Sequence, residues 1–126
     1  MKTADAPPVD VFDATSASRA ALELVANKWA LLIVPALRDG PLRNNELLRR
    51  IGGISQKMLT QTLRDLERNG LVLRTDRRSV PPHVEYALSD VGRPLSEAFV
   101  AVGCWAEAHH RDLADARKAF DARNRG

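Results

Sequence analysis

Two glycine turns bracket a helical stretch in the middle of this 126-residue chain. The stretch reads ISQKMLTQTLRDLERNGLV, from residue 54 to residue 72, with Gly52-Gly53 before it and Asn69-Gly70 near its end. Ser55 is suited to cap the helix N-terminus, and Gly70 can adopt the left-handed conformation that follows a last helical turn. The chain therefore has to turn on both sides of one helix of about four turns.

Capping and stop residues predict three helices before this stretch. Thr15 or Ser16 is suited to cap the first helix. Asn27 is suited to cap the second helix, which Gly40-Pro41 ends. A short third helix is predicted from Asn44 or Asn45 through Ile51. Pro35 lies inside the almost wholly apolar second helix. Because proline removes a backbone donor and crowds the preceding turn, we expect this helix to be kinked or shortened.

Two short strand-like runs and a long helix follow the central stretch. LVLRT and HVEYAL are joined by DRRSVPP, which predicts a β-hairpin with a basic tip. Ser89 is suited to cap the last helix, whose apolar stripe is Val91, Leu95, Phe99, Val102 and Ala106, with Trp105 beside it. The order predicts a mainly α fold with a small β-hairpin. Three helices and a two-stranded wing make a winged helix-turn-helix, in which the second helix of the pair enters the DNA major groove.

The central helix has two chemically different faces when its residues are set 100° apart. The predicted inward group is Met58, Leu59, Thr62, Leu63 and Leu66. The predicted outward group is Lys57, Thr60, Gln61 and Arg64. Glutamine suits adenine, arginine and lysine suit guanine, and threonine suits several base edges. An ordinary solvent-facing helix tends to carry Glu-Lys pairs instead, whereas the first two turns here contain no acid.

Positive charge is concentrated in the same region of the chain. Residues 43–86 carry nine Lys/Arg against five Asp/Glu, whereas residues 1–42 carry four against five and residues 87–126 carry six against six. A local basic surface suits a polyanionic partner, because phosphate contacts release counterions. The alternative interpretation is an ordinary solvated helix face.

Three motifs resemble the HxlR-type winged helix-turn-helix transcriptional regulators: LVANKWALLIVPAL, GISQKMLTQTLRDLERNGLVLRT and VPPHVEYALSDVGRPL. The resemblance runs from about residue 22 to residue 105 and implies a dimer on a palindromic operator, joined through its first and last helices. It places on the recognition helix Ser55, Gln56, Lys57, Thr60, Gln61 and Arg64, and on or beside the wing Arg77, Arg78 and His83. Arg43 completes the predicted DNA-binding set.

This chain departs from the family pattern at two places. Asn44 stands where the family usually has an aromatic residue. The redox-sensing branch of the family uses a cysteine just before the first helix, and this sequence has none there.

The long last helix argues independently for a homodimer. A winged-helix domain closes its own core, so a further apolar stripe needs another surface to cover it. The predicted interface is Leu24, Leu95, Phe99, Val102 and Trp105. The alternative is a packed monomer in which the last helix folds back on Trp29 and Leu32. Double-stranded DNA with an inverted repeat and a second copy of the chain are the predicted partners, and a small-molecule effector is a further candidate.

Cys104 is the one cysteine of the chain, which excludes an intrachain disulfide and a multi-cysteine zinc site. It is the one candidate thiol sensor, and the alternative is inert packing in an apolar stripe. His109, five residues further along the same helix, points away from it. Because the sequence also lacks a Ser-His-Asp order, a phosphate loop and metal-ligand spacing, we predict no enzyme activity, no metal and no cofactor.

The composition predicts one domain with short additions at both ends. Residues 1–13, which contain Pro7 and Pro8, are predicted to be a flexible arm, residues 14–110 the winged domain with its dimerisation helix, and residues 111–126 a helical or flexible tail. The longest apolar run is too short for a bilayer span and the N-terminus lacks a signal-peptide core, so we expect a soluble cytoplasmic protein.

Two other functional classes remain open from the sequence. A winged-helix adaptor for protein partners would have the same scaffold but would expose apolar residues on the central helix and the wing. A DNA-binding protein without any sensing role, regulated by its abundance alone, is the other alternative.

Overall fold

Helices and a small sheet alternate along residues 10–125, which are the residues that this computed structural model describes. The elements are α1 (Ala17–Val25), α2 (Ala30–Ala36), β1 (Leu42–Arg43), α3 (Asn44–Arg50), α4 (Gln56–Arg68), β2 (Val72–Arg77), β3 (His83–Leu88) and α5 (Gly92–Arg123). The predicted order of helices and hairpin strands is confirmed, and β1 is an addition that the sequence did not predict. Most of the predicted N-terminal arm, residues 1–9, lies outside the described residues.

The predicted caps form hydrogen bonds at the helix ends. The Ser16 and Ser55 hydroxyl oxygens accept from the backbone N–H groups three residues further on, at 3.0 and 3.1 Å. Asn27 Oδ1 accepts from the N–H groups of Trp29 and Ala30, which begins the turn that leads into α2. Gly70 has a φ of +78°, the left-handed conformation expected after α4.

Pro35 shortens α2, as predicted. The helix ends at Ala36, one residue after the proline, and the Arg38 N–H donates to the Pro35 carbonyl in a final tight turn. Ile33 and Val34 are completely buried despite the short helix. The helix is therefore held by packing against the rest of the domain rather than by its length.

The wing is part of a three-stranded antiparallel sheet with the order β1-β3-β2. In the hairpin, Val72 pairs with Leu88 at the base and Arg77 pairs with His83 near the tip, so residues 78–82 form the loop. In β1, Leu42 pairs with Tyr86 and Arg43 with Glu85. Two residues are too few to show an alternating pattern, which is why β1 was missed. This short strand ties the start of α3 to the wing.

The core lies among α2, α3, α4 and the base of the wing. Its fully buried side chains include Ile33, Val34, Leu47, Leu59, Leu63 and Val72. The inward group predicted for α4 is confirmed at Leu59, Thr62, Leu63 and Leu66. The prediction for Met58 is wrong, because its side chain is 37% exposed at the edge of the inward arc.

Ser89 joins the turn after α4 to the start of α5. Its hydroxyl donates to the Gly70 carbonyl at 2.6 Å and accepts from the Gly92 N–H at 3.0 Å. Its own N–H donates to the Leu71 carbonyl at 3.1 Å. A side chain at position 92 would collide with that same carbonyl, so glycine permits the close approach of the two segments.

The first turns of α5 pack on α2, whereas the rest of the helix extends away from the body. Leu95 and Phe99 are half-buried against the core, and Arg38 forms an ion pair with Glu97 at 3.2 Å. From Ala101 to Arg123 every residue is exposed. The helix passes residue 110 without a break and ends at Arg123. No helix in the described part of the chain is both long and apolar enough to cross a membrane.

Candidate nucleic-acid interface

The outward face of α4 is a polar, basic surface opposite the buried face of the same helix. Lys57, Thr60, Gln61 and Arg64 are exposed, as are Ser55 and Gln56 at the helix start. Asp65 and Glu67 lie in the second half of the helix. On the outward face, the first two turns therefore carry hydrogen-bond donors, acceptors and positive charge without any acid. Such a surface is suited to base edges and phosphates at the N-terminal end of a recognition helix.

Two hydroxyl groups of this helix serve its own backbone. Thr62 Oγ1 donates to the Met58 carbonyl at 2.8 Å and is buried, which explains how a polar residue fits the inward face. Ser55 accepts from the Met58 N–H as the cap. Of the predicted DNA-binding residues, Ser55 therefore has a structural task in the free protein, one that orients the first turn of α4.

Gln56 is held by neighbours on both sides. Its Oε1 accepts from Asn44 Nδ2 at 2.7 Å, and its Nε2 donates to Asn44 Oδ1 at 2.9 Å and to Thr60 Oγ1 at 2.9 Å. Nothing in the sequence predicted this contact apart from the unusual residue at position 44. The start of α3 and the first turns of α4 are thus linked by side-chain amides.

The wing carries a small charge network centred on Glu85. Its carboxylate contacts His83 Nε2 at 2.8 Å and Arg77 Nη2 at 3.3 Å. The hydrogen bond from His83 and the positive charge of Arg77 lower the pKa of Glu85 below its usual value of 4.5. Arg77 and His83, two of the residues predicted to contact DNA from the wing, therefore already contact Glu85 within the sheet. Arg78, in the adjoining loop, is exposed and forms no ion pair within residues 10–125.

Arg43 lies between the helix-turn-helix and the wing. It is exposed, and its backbone N–H donates to Glu46 Oε1 at 2.9 Å at the start of α3. The side chain borders an open cleft of about 440 Å³ that Arg49, Pro82 and Val84 also line. Arg49 was not predicted as a contact, and the pairing of β1 with β3, which the sequence did not show, brings Pro82 and Val84 of the wing to the same cleft.

The residues predicted for a dimer interface fall into two groups. Leu95 and Phe99 pack against the chain's own core, as the folded-back alternative requires for this end of α5. Leu24, Val102 and Trp105 are 43%, 49% and 52% exposed. Helix α1 buries none of its residues against the rest of the described chain, although its residues are strongly amphipathic. Both terminal helices therefore present apolar side chains to solvent in a single copy.

Cys104 is exposed on α5, so burial in an apolar stripe, the basis of the inert-packing alternative, is not observed in the single chain. An apolar groove of about 280 Å³ runs beside it between α2 and α5. Its lining includes Leu31, Leu32, Pro35, Phe99 and Gly103. The groove lies between the winged domain and α5.

Known proteins share both the sequence and the fold. Residues 24–113 match the profile of the HxlR-like helix-turn-helix family. The uncharacterized HTH-type transcriptional regulator YtfH of Escherichia coli (strain K12) is 46% identical over 90 residues, which cover 71% of each chain. The solved structure of the transcriptional regulator ytfH from Salmonella typhimurium has a TM-score of 0.78 and 38% identity, covering 88% of this chain and 99% of that one.

A redox regulator is among the similar structures. HypR in its reduced form has a TM-score of 0.71 and 36% identity, covering 80% of this chain and 99% of that one. The family profile alone covers well over half of the present chain. With its three-stranded sheet and the exposed polar face of α4, this chain belongs to the HxlR-like helix-turn-helix family of DNA-binding transcriptional regulators.

Proposed function

We propose that this protein binds a specific inverted-repeat operator as a homodimer and thereby regulates transcription. The observation that carries the proposal is the outward face of α4, where Lys57, Thr60, Gln61 and Arg64 are exposed together and no acid interrupts the first two turns. Family membership supports the class of function, and this face supports direct contact with bases and phosphates. Acting on chromosomal DNA, the protein would work in the cytoplasm.

The contacts divide by chemistry into readers and anchors. Gln61, which is exposed and makes no hydrogen bond through its side chain within the described residues, is the main proposed base reader. Lys57 and Arg64 serve phosphates or guanine from the same face. Arg78 serves the DNA backbone from the wing, since Arg77 and His83 already contact Glu85. Arg43 is proposed as a further backbone contact beside the wing.

The dimer is proposed from the exposed apolar side chains of the terminal helices. Leu24, Val102 and Trp105 lie outside the body's core, and a second copy related by a two-fold axis is the simplest surface to cover them. In such a dimer the two recognition helices are expected about 34 Å apart, one turn of DNA, which requires an operator with two-fold symmetry.

We further propose that the DNA affinity responds to a signal, through either Cys104 or the groove between α2 and α5. Cys104 is exposed, and HypR, a similar structure, is named a redox regulator. The groove is lined mainly by apolar side chains, which suits a small apolar or aromatic molecule. The binding experiment, repeated with an oxidant, tests the Cys104 alternative.

The experiment is selection from random duplexes and genomic fragments with purified protein at physiological salt. Gln61→Ala is expected to lose base preference at one position in each half-site, by about 1–3 kcal/mol, because it removes one reader. Arg78→Ala is expected to weaken all sequences equally and to reduce the salt dependence by about one counterion. Arg111→Ala removes the same charge from an exposed position on α5 and serves as the matched control.

The outcomes separate the competing functions. Unchanged base preference in Gln61→Ala would remove Gln61 from the readers, and equal effects of Arg78→Ala and Arg111→Ala would remove the wing contact. No enriched sequence at all would favour the adaptor for protein partners. Repeating the selection with diamide and with Cys104→Ser tests the thiol response, since release by oxidant should require Cys104. Indifference to oxidant would direct the search to small-molecule effectors.

A further inference from the structure

Asn44 and Gln56 form a reciprocal pair of amide hydrogen bonds across the turn of the helix-turn-helix. Each side chain donates to the other, at 2.7 and 2.9 Å, and the second Nε2 hydrogen of Gln56 is directed to Thr60 Oγ1 at 2.9 Å. Asn44 is half-buried at the first position of α3, whereas Gln56 and Thr60 are exposed on the first two turns of α4. The three residues form one connected unit at the edge of the outward face.

The pair limits what Gln56 can offer to a base. A primary amide has two N–H donors and one carbonyl oxygen with two lone pairs. Both donors of Gln56 are used, one by Asn44 and one by Thr60, which leaves one lone pair on Oε1. Because Thr60 accepts from Gln56, its own hydroxyl hydrogen is free to donate. The unit therefore presents an acceptor on the Gln56 amide beside the donor of Thr60, whose hydroxyl also keeps its second lone pair.

This pattern does not depend on how the two amides are oriented. Turning both amides over keeps the reciprocal pair and makes Thr60 the donor to Gln56. The free donor then lies on Gln56 and the free acceptor on Thr60. In either arrangement the unit offers one donor and one acceptor side by side. Adenine displays the complementary pair in the major groove, an N7 acceptor beside an N6 donor.

We propose that Asn44 is a specificity-determining residue, which holds Gln56 and Thr60 together as a joint reader of one adenine in each half-site. The inference rests on the proposed function, because it concerns how the same recognition helix reads DNA. Asn44 acts as a positioning residue. Without it, Gln56 is a flexible exposed side chain, and the cost of ordering that side chain is added to each specific contact.

The test is selection from random duplexes with the full-length protein and four variants: Asn44→Ala, Asn124→Ala, Gln56→Ala and the Asn44→Ala/Gln56→Ala double variant. Asn44→Ala is expected to reduce the preference for adenine about tenfold at one position per half-site and to leave the other positions unchanged. Asn124→Ala is the matched control, since it removes an amide from an exposed residue at the C-terminal end of α5, whereas Asn45 accepts a hydrogen bond from Asn44 Nδ2 at 3.5 Å and is not independent of it. The double variant is expected to match Gln56→Ala alone, because Asn44 acts through Gln56.

Several results would overturn the inference. Asn44→Ala could retain the wild-type preference, weaken all sequences equally, or add its effect to that of Gln56→Ala in the double variant. Asn44→Leu keeps the side-chain volume without hydrogen bonding, and a thermal melt of each variant separates misfolding from altered reading. A wild-type protein that enriches no motif would instead contradict the proposed function itself, whereas an enriched motif indifferent to Asn44 would contradict only the role of Asn44.

Discussion

The winged body and the outer helical layer of this protein both contain amphipathic helices, but the apolar side chains are buried in the body and exposed in the outer layer. In the body, from α2 to β3, amphipathic helices bury their apolar faces, and Leu47, Leu59 and Leu63 are at most 1% exposed. In the outer layer, formed by α1 and residues 101–123 of α5, apolar side chains such as Trp105 and Leu113 are about half exposed. The difference lies in what covers each face.

Apolar periodicity predicts that a face will be buried but not which molecule buries it. For α4 the cover is the same chain, because short turns bring α2, α3 and the wing against it. In α1 only Val25, at the helix end, is partly buried against the core, and Leu22 and Leu24 stay exposed, as do the residues of α5 from Ala101 onward. The comparison therefore separates the residues that stabilise the fold from those available for assembly.

The largest expected contrast comes from one substitution made in both regions. Leu63→Ala is expected to cost about 2–5 kcal/mol of unfolding free energy, because it leaves a cavity in the core. Leu113→Ala, at a side chain 46% exposed, is expected to change the stability of the separated chain by no more than about 0.5 kcal/mol. Urea unfolding at low protein concentration measures both. Equal losses would contradict the division into body and outer layer.

A smaller effect, confined to the outer layer, is expected from Trp105→Ala. If two copies cover this side chain, its loss should weaken the dimer by about 2 kcal/mol, or roughly 30-fold in dissociation constant. Sedimentation over a range of concentrations measures the change, with the exposed Lys118→Ala as control. A wild-type chain that stays monomeric throughout that range would contradict the proposal that a second copy covers α5.

The smallest expected effect lies in the wing, at the edge of the body. His83 and Arg77 lower the pKa of Glu85. The stability that the Glu85 carboxylate gives the wing is therefore present above the usual pKa of 4.5 and is lost as the pH falls through the lowered value. Glu85→Gln should remove this acid-dependent loss of amide protection in β2 and β3, as measured by hydrogen exchange. An unchanged pH profile in the variant would show that Glu85 does not stabilise the wing.

Most of the fold and the two faces of α4 could be predicted from the sequence. Caps at Ser16 and Ser55, the stop at Gly70 and the buried face of α4 follow from local patterns that act within one or two helical turns. The pairing of β1 and the contact between Asn44 and Gln56 join residues separated along the chain, and neither leaves a periodic pattern. Met58 lies at the edge of the inward face of α4. At such a position the 100° spacing of helix residues does not determine burial, and the neighbouring side chains do.

The hydrogen bonds of Ser89 hold the start of α5 in a fixed position relative to the end of α4. One hydroxyl contacts both the Gly70 carbonyl after α4 and the Gly92 N–H at the start of α5, so the two helices share an anchor about one residue wide. In the proposed dimer, the angle between α5 and the second copy would then directly set the orientation of each recognition helix. The base-pair spacing between the half-sites of the proposed operator would then depend on the hydrogen bonds of Ser89.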